Sequence, residues 1–315
     1  MTMTTLEQQL KNGELRLDDA GVGAFEQQLE YIESEVRKRK RPALRFANGE
    51  IVPLETLNIP WADVTTYRML TGVGQFALSR DYTTNVPMVD TLSEEVSQRV
   101  FKYIGGYQVS EEEAYKSVHM GQNLDDQKAS MVQMVADQTL NKLIAFGDPE
   151  TGMPGFVNHP AWLRSYALYP LNSSSDANQL LSVLKAPVSA VITLTNGVEE
   201  PDTMLMPYEP FEFLTEARLD TTLSDTVLRQ FLKNNGHIKN IQPLNELAGA
   251  GPDGEDVMIV YRRSPETVKA RITDKFRFRK LQPQPFGYQR PAAFKYNGIL
   301  PYSPYGVHVV ILPKS

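Results

Sequence analysis

The stretch from Ser110 to about Phe146 constrains this 315-residue chain more than any other part of it. Ser110, Glu111, Glu112 and Glu113 have the pattern of a capping box: the serine hydroxyl meets the Glu113 amide, and two further acids sit at the positive end of a helix. Val118, Leu124, Met131, Val132, Val135, Leu140 and Ile144 then keep an apolar stripe at helical spacing. About 35 residues at 1.5 Å each make a helix of roughly 50 Å. Gly121 is the expected kink and Gly147 the stop, followed by a turn-rich bridge through Asp148-Pro149, Gly152 to Gly155 and Asn158 to Pro160.

Ahead of this helix, residues 1–24 are polar and aperiodic and read as an extended arm that orders only against something else. Phe25, Leu29, Ile32 and Val36 recur on one face of a predicted helix that ends before Pro42 and carries the run Arg37, Lys38, Arg39, Lys40 and Arg41 at its tail. Residues 43–61, broken by Asn48-Gly49, Pro53 and Pro60, read as connecting strand and loop. Thr65 to Leu70 and Gln75 to Tyr82 flank Thr71 to Gly74 in a hairpin pattern. A two-stranded hairpin alone is marginal in water, so this one is expected to lie on a neighbour. Glu95 to Gly105 reads as a further strand, turning at Gly105-Gly106.

After the bridge the chain alternates. Helices are expected over Asp176 to Leu184, Pro210 to Glu216 and Ser224 to Asn234. Strands are expected over Thr203 to Met206, Ile238 to Gln242, Val257 to Tyr261, Thr267 to Arg271 and Val307 to Leu312. The aromatic and proline content of 283–305 reads as an extended segment packed at an interface.

Composition narrows the function. At 41% hydrophobic and 22% charged residues the chain is globular, and 315 residues allow two lobes or one elaborate domain. The absence of cysteine removes disulfides, thiolate metal sites and cysteine nucleophiles. A net charge of −6 provides no global field toward nucleic acid or anionic lipid. The polar start lacks a secretory pattern, and no run of about 18 apolar residues suggests a membrane helix, so a cytoplasmic protein is expected.

Catalytic constellations fail in turn. Gly72-Val73-Gly74 lacks the dinucleotide-binding context, and no phosphate-cradling loop occurs. His119, His159, His237 and His308 are scattered without metal-ligand spacing and read as interior or interface histidines. Adjacent acids, Glu94-Glu95 and Glu111 to Glu113, point apart and serve as a solvated face and a cap. No cofactor, metal or catalytic residue is predicted. The Arg37 to Arg41 run has two main readings, local contact with nucleic-acid phosphates or complementing its own helix end and a neighbour's acids. A nuclear-import signal is a weaker third.

The order of hairpin, strand, long helix, glycine-rich turn and α/β half resembles the HK-ninety-seven-type capsid fold of tailed phages and encapsulins, an α+β architecture. More closely, it resembles a tailed-phage major capsid protein family. The resemblance is carried by Asn85 to Asp90, Leu124 to Ala129, Phe146 to Pro160, Thr203 to Tyr208, Thr226 to Asn235 and the glycine-rich Leu244 to Gly254 leading into Val257 to Tyr261, and it covers roughly 60–312. It implies an N-terminal arm (1–60), an extended E-loop hairpin (61–90), a peripheral P domain with a long spine helix (91–160), an axial A domain (161–265) and return strands to the P domain (266–315). The implied function is self-assembly, through hexamers and pentamers, into the icosahedral shell around a tailed-phage genome. Scaffolding, portal and decoration proteins and weakly held double-stranded DNA are the implied partners, without a membrane. Loops at Glu199 to Asp202 or Gly249 to Gly254 would line the capsomer centre. An encapsulin-like compartment is the alternative; an enzyme would need convergent polar residues that the sequence lacks. Some relatives of the fold weld subunits through an E-loop lysine, but 63–90 contains Arg68 and Arg80 and no lysine, so no such cross-link is expected. A long N-terminal scaffolding region is absent too, which assigns assembly control to a separate protein or the short arm. Intersubunit contacts are expected from Phe25, Ile32 and Val36 in the arm and from Tyr67, Met69, Phe76 and Leu78 in the hairpin, with Arg37 to Arg41 as the lumenal or nucleic-acid contact.

Overall fold

The computed structural model describes residues 42–76, 88–119, 124–218 and 225–313. The polar segment 1–24 of the arm, the helix predicted over 25–40, its basic run, Leu78 and the Gly121 kink lie outside the described residues.

In chain order the elements are β1 (Leu54–Thr56), β2 (Val64–Val73), β3 (Asp90–Arg99), β4 (Phe101–Ser110), α1 (Glu111–His119), α2 (Leu124–Phe146), β5 (Gly147–Asp148), β6 (Met153–Pro154), β7 (Leu163–Tyr166) and α3 (Ala177–Leu194). Then come β8 (Thr203–Met206), α4 (Tyr208–Glu216), α5 (Val227–Asn234), β9 (Asn240–Pro243), β10 (Asp256–Tyr261), β11 (Val268–Phe278), β12 (Gln282–Gln284), β13 (Gly287–Pro301) and β14 (Val307–Leu312). The mixture of helix and strand is the α+β class expected.

Two sheets organise the chain. In the first, β13 is the spine: β11 and then β12 run antiparallel along one edge, β4 runs antiparallel along the other, and β1 adds to β11 in parallel. The second is mixed, in the order β7-β14-β10-β8-β9. Its three central strands, β14, β10 and β8, are short apolar runs because both faces are covered. Val257, Ile259 and Tyr261 of β10 enter one core, shared with the first sheet and the end of α2. Met258 and Val260, alternating with them, enter a second core beneath α3, α4 and α5. The period of two in a strand thus joins two cores through one sheet. β14 belongs to this second sheet, so the segment 266–315 divides between the two sheets.

The capping box forms as predicted: the Glu113 amide donates to Ser110 Oγ at 3.2 Å, and the Ser110 amide to Glu113 Oε2 at 3.3 Å. α2 buries its last turn, Asn141 and Leu143 to Ala145. Asn141 Oδ1 accepts from the amides of Phe46 and Ala47 (3.0 and 3.2 Å), which ties the first described segment to the helix. Gly147 ends α2 at φ +76°, a left-handed cap. A Cβ on Gly155 would lie 2.3 Å from the Gly147 amide nitrogen, so glycine is required where the two backbones cross. Asn158 clamps the crossing, accepting from the Gly155 amide (2.7 Å) and donating to the Phe146 carbonyl (2.8 Å).

Several predicted boundaries move. The partner of β2 is Asp90–Arg99, not Gln75 to Tyr82; the register runs unbroken from Val64 opposite Arg99 to Val73 opposite Asp90. Gly105-Gly106 does not turn but lies inside β4, because a Cβ on Gly106 would come within 2.7 Å of the Arg290 carbonyl oxygen on β13. α3 continues ten residues past the predicted end at Leu184, with Pro187 inside it. That makes α3 long and apolar enough to cross a bilayer by length and composition. Leu180, Val183, Leu184 and Val188 instead pack in the second core. The segment 283–305, expected at an interface, is mostly β12 and β13, and Phe294, Tyr296 and Ile299 are buried within their own chain.

Candidate functional site

Among the described residues no group of three or more His, Asp or Glu side chains could hold a metal ion. His159 is buried against Trp162, with its Nδ1 accepting from the Ala161 amide at 3.2 Å. Burial, with the nearby Arg164 charge, lowers its pKa to about 4. His308 is also buried; it exchanges a 2.8 Å hydrogen bond with Ser165, and burial lowers its pKa. Both are interior residues, as predicted. His237 is exposed beside Glu200 at 3.3 Å. Glu199 is buried, accepting from Thr267 Oγ1 (3.2 and 3.3 Å) and facing Arg262 at 3.6 Å, so it anchors the turn after α3.

What the chain does present is a hairpin that its own fold does not cover. At the base, β2 and β3 hold to the first sheet: Thr65 Oγ1 accepts from Asn297, Gln98 Nε2 donates to the Ile299 carbonyl at 2.9 Å, and Lys295 reaches the Ala62 carbonyl (3.2 Å) and Asp63 (3.3 Å). Tyr67 packs edge-on against Tyr302 at 5.2 Å between centroids. Beneath it Glu55 receives Arg271 at 2.8 Å and Lys269 at 3.5 Å. Burial opposes the Glu55 charge, but the Arg271 hydrogen bond and charge, with Lys269, hold its carboxyl below the ordinary range.

Beyond Tyr67 the two strands continue for six more residue pairs, from Arg68 opposite Glu95 to Val73 opposite Asp90. Arg68 and Glu95 form an ion pair at 2.6 Å, and nearer the base Thr66 and Ser97 share a 2.8 Å hydrogen bond. Such cross-strand pairs fix the register of an exposed ribbon. Its apolar side chains stay in water: Leu70 is 71% exposed, Leu92 65% and, beyond the end of β2, Phe76 94%. Leu70 and Leu92 lie on opposite faces, since Leu70 pairs with Ser93 and Leu92 with Thr71. These apolar side chains lie uncovered on a two-stranded ribbon, which alone is marginal in water.

Of the predicted contact residues, Phe76 stands free and Met69 is half-buried. Tyr67 is a correction: at 9% exposure, against Tyr302, it belongs to the anchor of the hairpin and not to its free surface. Phe25, Ile32, Val36, Leu78 and the basic residues Arg37, Lys38, Arg39, Lys40 and Arg41 lie outside the described residues. Leu70 and Leu92 were missed. Their signal was apolar side chains in strands where no period of two marks a buried face.

A family model described as major capsid protein matches residues 74–310. No curated protein matches the chain. Among solved structures, the capsid of Myoviridae phage XM1 is 18% identical at a TM-score of 0.75, covering 91% of this chain and 98% of its own. The capsid of a native GTA particle is 10% identical at a TM-score of 0.61, covering 95% of this chain and all (100%) of its own. A virus-like particle from Pyrococcus furiosus is 10% identical at a TM-score of 0.50, covering 85% of this chain and 95% of its own. These similarities show the HK-ninety-seven-type fold, and the family match extends over well over half of the sequence. The chain belongs to the major capsid protein family.

Proposed function

We propose that copies of this chain assemble, as hexamers and pentamers, into the icosahedral shell of a tailed bacteriophage, and that the projecting hairpin joins neighbouring copies. The observation that carries this reading is the hairpin itself, anchored by polar contacts and Tyr67 at its base and bare on both faces toward its tip. Covering that surface with a neighbour yields about 25 cal/mol per Å² of apolar area, less the cost of ordering. Many copies repeating one such contact close a shell.

In this reading β4, α1, α2 and β11–β13 form the P domain, and β7–β10 with β14 and α3–α5 form the A domain. The role is structural and needs no catalytic group; assembly takes place in the host cytoplasm and the product is the virion capsid. Scaffolding, portal and decoration proteins are the further partners, and Arg37 to Arg41 make the weak lumenal contact with packaged DNA. The likeness to the Pyrococcus furiosus particle keeps a second reading, a protein-filled compartment on the same fold, which the content of purified shells distinguishes: nucleic acid or an enzyme.

The test is to replace residues 70–93 by a two-residue turn, leaving the base pairs of β2 and β3. Subunits should stay soluble with an unchanged melting temperature and form no shells under the electron microscope. Normal shells from this variant would refute the role of the hairpin.

A further inference from the structure

A second surface combines charge and apolar exposure, at the far end of the first sheet. β11 ends in Lys275, Phe276, Arg277, Phe278, followed by Arg279 and Lys280. The aromatic residues turn inward: Phe276 meets Phe278 at 5.2 Å, and Phe278 meets Tyr107 at 6.1 Å. The cations are left in water. Arg277 pairs with Asp274 at 2.7 Å, while the side chains of Lys275, Arg279 and Lys280 have no partner among the described residues. Leu281, next in sequence, is exposed, and Phe286 in the β12–β13 turn is 81% exposed.

The same end of the sheet carries the opposite charge. The Glu111 amide donates to the Phe286 carbonyl at 3.1 Å, which places the first turn of α1 against the β12–β13 turn. Glu113 is taken by Lys128 at 2.8 Å, but Glu111 and Glu112 are exposed and without a partner among the described residues. Two strand spacings and about four residues of rise separate Lys280 from Glu111, on the order of 15 Å. That is a backbone separation at the limit of what the two side chains span together, and among the described residues no ion pair joins Arg279 or Lys280 to Glu111 or Glu112.

We propose that this corner is self-complementary between copies: Arg279 and Lys280 of one subunit meet Glu111 and Glu112 of the next, around Phe286 and Leu281. Patches of opposite sign, adjacent but unpaired in one copy, are brought together when a second copy is rotated about an axis near the corner. Complementary charge also sets the register of such a contact and rejects misaligned approaches. This inference rests on the shell reading and adds a contact that the hairpin does not make.

The experiment measures the protein concentration at which shells appear, by light scattering and electron microscopy, for the full chain and three variants. Arg279→Glu with Lys280→Glu should raise that threshold about tenfold or more at low salt, with the melting temperature of the unassembled subunit unchanged. The milder Arg279→Gln with Lys280→Gln should raise it less and flatten its dependence on salt. Combining the charge reversal with Glu111→Lys and Glu112→Lys should bring the threshold back toward wild type. Charge-reversed subunits that assemble like wild type overturn the contact, as does normal assembly with reduced retention of duplex DNA, which would make the corner a phosphate-binding surface. A wild-type chain that forms no shells removes the shell reading and this contact together, whereas wild-type shells indifferent to these charges remove the contact alone.

Discussion

Replacing Leu70 and Leu92 with serine should weaken assembly while leaving the subunit intact. Both side chains are uncovered in the single chain, at 71% and 65% exposure, on opposite faces of the hairpin beyond its Tyr67 anchor. Full burial of a leucine is worth about 1.5–3 kcal/mol. With roughly two thirds of each side chain still to be covered, each contributes about 1–2 kcal/mol to a contact between copies. Losing both removes about 2–4 kcal/mol per subunit. At 1.4 kcal/mol per factor of ten, this raises the threshold concentration for shell formation by roughly 30-fold to several hundred-fold. The folded subunit loses nothing comparable, because exposed substitutions away from special features usually fall within about 0.5 kcal/mol. Light scattering against protein concentration reads the threshold, and thermal unfolding of unassembled subunits is the control. An unmoved threshold would refute the argument; a fallen melting temperature would show that the leucines serve the subunit itself.

Three further outcomes follow from particular residues. Gly155→Ala should abolish soluble folding, since its Cβ would sit 2.3 Å from the Gly147 nitrogen and 2.4 Å from the Phe146 carbonyl carbon, both backbone atoms; a stable, soluble variant would contradict the crossing. His159 stays neutral in the fold to about pH 4 but takes a proton below pH 6.5 in the unfolded chain, so its contribution is complete above pH 6.5 and is lost as the pH falls toward 4. That loss is about 3 kcal/mol. Denaturant midpoints across this range should slope less steeply for His159→Asn than for wild type, and equal slopes would count against it. Boiled shells should run as monomers in a denaturing gel, because the hairpin, with its observed limits of 64–99, still contains no lysine; a covalent ladder would contradict this.

The sequence revealed those elements in which local chemistry and burial agree. Thr203–Met206 and Val307–Leu312 were read to the residue, because strands buried on both faces leave unbroken apolar runs. The start of the long helical stretch was fixed by Ser110 and Glu113, whose reciprocal hydrogen bonds need nothing distant. Elements stabilised from outside their own segment were misread. Asp90–Arg99 is almost wholly exposed, so no alternation marks it and its pairing with β2 follows from register alone. The helix expected to end at Leu184 runs on through Pro187 to Leu194, because its apolar face is held by the mixed sheet. In β13 the prolines and aromatics concealed a strand whose neighbours, β4 and β11, are distant in sequence. The exposed leucines and the cationic corner escaped because they are not buried within their own chain, so no burial pattern marks them.

The most direct test of the central claim is cryo-electron microscopy of the purified protein at assembly concentrations. The account predicts closed icosahedral particles in which each hairpin beyond Tyr67 lies on a neighbouring subunit, with Leu70 and Leu92 covered. Monodisperse monomers at every concentration, or shells in which the hairpins extend into solvent, would contradict it.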